Sequence, residues 1–92
     1  MENPATIKGV GMIKVLFFAQ TRELVECDKL MLPAEFNTVE QLRTALIQRG
    51  KRWQLALADG RLLVAVNQEI CDVSQPLQSG DEVAFFPPVT GG

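Results

Sequence analysis

The chain contains no histidine and no tyrosine. Histidine is the commonest general base and metal ligand near neutral pH, so the usual acid–base chemistry is missing from the chain itself and no metal site is expected. Sulfur chemistry is nearly as sparse. The two cysteines, Cys27 and Cys71, do not form a CxxC pair. Both stand among apolar residues, where a free cysteine behaves as a small hydrophobe, so neither a disulfide nor a redox role is expected. There is no excess of basic residues: nine Lys and Arg against eleven Asp and Glu give a net charge of −2. A nucleic-acid partner is therefore not expected. No apolar run approaches the length of a membrane span, and the N-terminus lacks the charged start and apolar stretch of a secretory signal. The expected location is the cytoplasm, with no membrane partner.

What is present fits one small soluble domain. The chain has 92 residues, of which 47% are hydrophobic and 22% charged. Such a chain buries one modest core and has little room for an enclosed active site. The adjacent carboxylates Asp81 and Glu82 read as a polar turn before a strand rather than as an acid–base pair.

Residues 1–11 carry Pro4, Gly9 and Gly11 with no clear period and read as a flexible extension. Residues 12–86 form the domain. Residues 13–18 (Ile-Lys-Val-Leu-Phe-Phe) are rich in strand formers, with Ile13, Val15 and Phe17 on one face and Lys14, Leu16 and Phe18 on the other. Residues 21–26 are a mixed surface stretch with room for one helical turn. A second strand over 27–32, ended by Pro33, pairs antiparallel with the first. The main helix follows, over about 38–49. Thr38 and Gln41 fit a capping box, and Val39, Leu42 and Leu46 form an apolar stripe. Gly50 suits the left-handed position that closes a helix. Residues 53–58 read as an apolar connector, with Trp53 over one end of the core. Asp59-Gly60 marks a turn, 62–66 a third strand, Asn67-Gln68 a tight turn and 69–73 a short return strand. The last strand spans 83–86.

The fold class expected from this order is α+β. It is a mixed sheet of four to five strands with one main helix on one face, the other face being left open. In a β-grasp arrangement the first and last strands run parallel at the centre. Val83 and Phe85 then join Val15 and Phe17 under the helix, while Ala84 and Phe86 share the open face with Leu16 and Phe18. Two phenylalanines on adjacent strands beside a leucine make an apolar patch suited to a partner. The alternative is that the 53–58 connector folds over that face.

The end of the chain, residues 87–92, is a flexible tail with a chemical logic. Pro87 cannot donate to a sheet, so pairing stops there, and Pro87-Pro88 favours an extended path. Val89 and Thr90 follow, and Gly91 and Gly92 carry no side chain, so they fit a slot too narrow for other residues. Neither glycine serves a turn or a cap. A permissive backbone at these positions makes sense if the terminal carboxylate itself is handled.

The segments 13–20 (Ile-Lys-Val-Leu-Phe-Phe-Ala-Gln), 22–24 (Arg-Glu-Leu), 65–68 (Ala-Val-Asn-Gln) and 80–92 (Gly-Asp-Glu-Val-Ala-Phe-Phe-Pro-Pro-Val-Thr-Gly-Gly) resemble the MoaD family, the small sulfur-carrier subunits of molybdopterin synthase. The resemblance spans residues 12–92. It implies a ubiquitin-like β-grasp and a role in molybdenum cofactor biosynthesis. It implies that the Gly92 carboxylate is adenylated by an ATP-dependent, E1-like activating enzyme and converted to a thiocarboxylate with sulfur from a donor protein. The tail, with Gly91 beside Gly92, then enters the large subunit of a heterotetrameric synthase, where sulfur passes to cyclic pyranopterin monophosphate. Phe18, Phe86, Pro87, Pro88, Val89, Thr90 and Gly91 are the expected partner-binding residues. No cofactor is expected to bind the chain, and it is not expected to be catalytic alone. Two other readings share the Gly-Gly ending: a thiamine-type sulfur carrier and a ubiquitin-like protein modifier. A β-grasp adaptor without terminal chemistry is the third. The length of residues 51–60 and the Phe-Phe-Pro-Pro-Val-Thr run favour the molybdopterin assignment.

Overall fold

Alternation in the first strand decides how the sheet is clothed. A computed structural model describes residues 11–88 of the chain. Among them the elements run β1 (Met12–Phe17), α1 (Ala19–Val25), β2 (Lys29–Pro33), α2 (Val39–Ile47), α3 (Lys51–Leu57), β3 (Leu63–Val66), β4 (Glu69–Cys71) and β5 (Glu82–Phe86). The strands form one five-stranded sheet in the order β2-β1-β5-β3-β4. β1 and β5 are parallel neighbours at its centre, with Val15 opposite Val83 and Phe17 opposite Phe85. Every other neighbouring pair is antiparallel. This is the ubiquitin-like β-grasp.

Ile13, Val15, Phe17, Val83 and Phe85 point to one face and are buried there with Val39, Leu42 and Leu46 of α2 and Leu57 of α3. Phe17 and Phe85 stack with ring centroids 6.2 Å apart, and Trp53 meets Phe17 edge-on at 5.5 Å. Burying each such ring contributes roughly 1.5–3 kcal/mol, so these central strands carry much of the core. The Arg49 guanidinium lies over the outer face of Trp53, 5.1 Å from the ring centroid, and seals that end of the core.

The capping box of α2 forms as its residues dictate. The Gln41 amide donates to Thr38 Oγ1 at 3.3 Å, and Gln41 Oε1 accepts from the Asn37 amide at 2.8 Å. Two expectations need correction around it. The helix is not alone: α1 is seven residues rather than a single turn, and the stretch read as a connector is the helix α3. It packs on the core side, burying Ala56 and Leu57, and does not fold over the open face. Gly50 does not close α2 in a left-handed conformation. Gln48 closes it in the right-handed region, and Gly50 instead starts α3 at φ 154°, ψ −177°. That region is essentially glycine's alone, which lets two helices follow with almost no loop between them.

The polar turn before β5 is tightly tied. Asn67, at φ 52°, donates from its amide nitrogen to Glu82 O at 2.8 Å and from Nδ2 to Asp81 Oδ1 at 3.0 Å. Its Oδ1 accepts from the Glu82 amide at 3.0 Å, and Asp81 Oδ2 accepts from the Gln78 amide at 2.8 Å. Asp81 and Glu82 are therefore structural, and this knot fixes where β5 begins.

Candidate functional site: the open sheet face and the tail

The helices cover one face of the sheet, and the strand registers place a defined set of residues on the other. Leu16 lies beside Ala84, Ala84 beside Ala65, and Ala65 beside Ile70, so one row crosses four strands. A second row joins Phe86 to Leu63. Phe18, the residue after β1, donates its amide to Phe85 O at 3.2 Å and so extends that row on the β1 side. The two phenylalanines expected to share this face are brought together. They are not equally open: Phe18 is 44% exposed, whereas Phe86 is half-buried. Phe86 has neighbours on both flanks, because β5 is central and Leu63 sits directly across from it.

Sequence reasoning missed half of this surface. Leu63 and Ala65 belong to it only through the β3–β5 register, which no local pattern specifies. Ile70 is 70% exposed and Met31 50% exposed, both on edge strands. An isoleucine at the middle of a three-residue edge strand was the available signal for Ile70. These residues make an apolar face continuous across the strands rather than a scatter of ordinary surface residues.

The face is not uniform. Away from the tail, Lys14 and Glu82 sit side by side on β1 and β5 with Nζ and Oε2 3.8 Å apart. Lys29 faces the same way beside Leu16. The exposed Met31 stands opposite Lys14, and the phenylalanine row lies at the end where the chain leaves the sheet. Pairing of β5 stops at Phe86 and the half-buried Pro87 and Pro88 follow. Val89, Thr90, Gly91 and Gly92 lie outside the described residues.

Elsewhere the described residues offer little chemistry. A cavity of about 260 Å³ on the helix side is lined by Arg43, Leu62, Val64, Cys71, Val73 and Phe85, among others. Its one guanidinium is already engaged, with Arg43 Nη1 donating to Leu57 O at 2.8 Å and the rest of the head group paired with Glu40. Burial pushes the Cys71 thiol above its ordinary pKa, which makes it a poor nucleophile at neutral pH. Cys27 Sγ donates to Lys29 O at 3.2 Å. Asp59 is held below the usual carboxylate range by its hydrogen bonds to Arg61, an exposed local pair in a turn. No group of His, Cys, Asp and Glu suited to a metal ion occurs among the described residues, and no helix there is long and apolar enough to cross a membrane.

The surface and the sequence can be set beside known proteins. A sequence model of the ThiS family matches residues 15–92. The chain belongs to the ThiS family. Among ThiS-family relatives it is 60% identical to the molybdopterin synthase sulfur carrier subunit of Escherichia coli K12, covering 88% of this chain and 100% of the relative. It is 53% identical to the subunit of the same name from Haemophilus influenzae, with the same coverage. A solved complex of subunits 1 and 2 of the molybdopterin-converting factor from Helicobacter pylori contains a similar chain. It is 28% identical with a TM-score of 0.64, covering 88% of this chain and 99% of that one. The ThiS-family match runs to Gly92, and so takes in the Gly-Gly ending on which the carrier reading depends.

Proposed function

We propose that the protein is the sulfur-carrier subunit of a molybdopterin synthase and that Gly92 bears the sulfur. The observation that carries this reading is the 60% identity extending over the whole length of the Escherichia coli carrier subunit. The residue chemistry supports it. A carboxylate is a poor electrophile because its leaving group would be oxide. In the proposed first step the Gly92 carboxylate attacks the α-phosphorus of ATP on an activating enzyme, forming the acyl-adenylate and releasing pyrophosphate. Sulfide delivered by a donor protein adds to the acyl carbon, and AMP leaves. The resulting thiocarboxylate is a soft nucleophile on a narrow stalk.

In the large subunit, the terminal sulfur attacks a carbon of cyclic pyranopterin monophosphate and displaces an oxygen substituent, the C–O bond breaking with its electron pair going to the departing oxygen. Water then cleaves the acyl–sulfur bond, leaving sulfur on the pterin and returning the Gly92 carboxylate. Two sulfurs make one dithiolene, so two carriers act in succession. The carrier itself needs no base, in keeping with its lack of histidine. The open face with Phe18, Phe86, Leu63 and Ile70 is the proposed dock for the large subunit, and Pro87 to Gly91 the part that threads into it. The proposed setting is the cytoplasm.

The test is intact-mass measurement after incubation with ATP, an activating enzyme and a sulfur source. The expected product is a single exchange of oxygen for sulfur, located at Gly92 by fragmentation of the terminal peptide. Sulfur found on Cys27 or Cys71 would overturn the assignment. An amide link from Gly92 to a lysine would point instead to a protein modifier.

A further inference from the structure

The open face carries one feature that apolar docking does not use. Lys14 and Glu82 stand on the two central parallel strands as direct neighbours, 3.8 Å apart, with side chains 44% and 30% exposed. Lys29 lies on the same face opposite Leu16, diagonal to Lys14, whose own β2 neighbour is the exposed Met31. Nothing in the fold requires this pair. The strands are already registered by their backbone, and the Lys14 amide is bound to Asp81 O at 3.0 Å. Exposed ion pairs add little to stability. The pair is nonetheless continuous with the Leu16 and Ala84 row, so a partner seated on the apolar rows reaches it. A pair covered without compensation would weaken the complex, because desolvating charges is costly.

We propose that Lys14, Lys29 and Glu82 form a charge code that orients the carrier on its docking partner. Two cations lie on the β2–β1 side and one anion on the β5 side. The complementary partner surface presents carboxylate groups against Lys14 and Lys29 and a basic group against Glu82. Apolar burial is non-directional and by itself sets the orientation of the face only weakly. The three charges, placed asymmetrically across β2, β1 and β5, remove that freedom, so that the tail leaves the sheet toward the partner's channel. This rests on the reading that the open face docks on the large subunit.

The experiment is stopped-flow association of the full-length carrier with the large molybdopterin synthase subunit, at low and high salt. The decisive variant is the double swap K14E/E82K, which keeps an ion pair within the carrier and reverses its direction. Its thermal midpoint is expected to match the native protein. Its association rate at low salt is expected to fall on the order of tenfold, with the gap closing as salt rises, since charges at an interface rim act chiefly on encounter. A double swap that associates at the native rate would overturn the proposal and leave the pair an internal contact only. Lys29→Glu, which breaks no pair within the carrier, supplies a second arm that does not depend on the folding of the first. It too should slow association, and a native rate would equally count against the charge code. Phe86→Ala is the control for the underlying reading. If it binds like the native chain, the docking face itself is wrong, a different failure from a silent charge swap.

Discussion

Phe17 and Phe85 differ from Phe18 and Phe86 by one position each, and that single step separates two kinds of surface. The first two are 1% and 0% exposed, stacked on each other beneath α2 and α3. The second two stand on the uncovered face, with Phe18 exposed and Phe86 half-buried between Phe18 and Leu63. Residue type therefore says nothing about which phenylalanine holds the fold. The parity of the strand says it, because successive side chains point to opposite faces. A small domain with three short helices can clothe only one side of a five-stranded sheet, and the bare side is free for recognition.

Substitutions on the two faces should have opposite consequences. The largest effect is expected outside both faces. Gly91→Val should leave the thermal midpoint unchanged yet block sulfur delivery by about 100-fold or more, because a misplacement near 1 Å already costs that much. Single-turnover transfer from the thiocarboxylated protein is the measurement, and normal transfer would remove the need for a narrow channel. Phe85→Ala comes next. It should cost about 3–5 kcal/mol of stability in denaturant unfolding, the usual penalty for emptying a phenylalanine-sized site in a core. Phe86→Ala should do the reverse. Calorimetric binding to the large subunit should weaken by more than about 1 kcal/mol, with a stability loss well below that of Phe85→Ala. Equal stability losses for the two variants would erase the distinction between the faces. The smallest effect belongs to Thr38→Ala, which loosens the helix over the core without touching the open face. About 1 kcal/mol of stability should go with the cap, and affinity for the large subunit should stay the same.

The features legible in the sequence were those that a short window contains. Alternation over residues 13–18 and 83–86 assigned both faces of the central strands, and the Thr38–Gln41 spacing located α2. The helix α3 was not legible because seven residues are too few to show a period and its N-cap is a glycine without a side-chain bond. Gly50 was misplaced for the same reason: a glycine between two helices serves the end of one or the start of the other, and only the helix α3 decides which. Leu63 and Ala65 could not be placed on the open face before the β3–β5 register was known. The Lys14–Glu82 pair joins residues far apart in the chain through the β1–β5 register alone. The reading of the tail rests on residue type alone, because Gly91 and Gly92 lie outside the described residues.

The parallel pairing of β1 and β5 has a mechanical side. The chain enters β1 at Met12 and leaves β5 at Phe86, at opposite ends of two strands that run the same way. Tension between the tail and the start of the domain therefore acts along the strands. The backbone hydrogen bonds between them are loaded all together in shear, not opened one after another as in a peeled hairpin. On its other side β5 is held by β3, from Leu63 opposite Phe86 to Val66 opposite Val83. A pull on the end of β5 is thus shared along the length of two strand pairings rather than concentrated at one hydrogen bond.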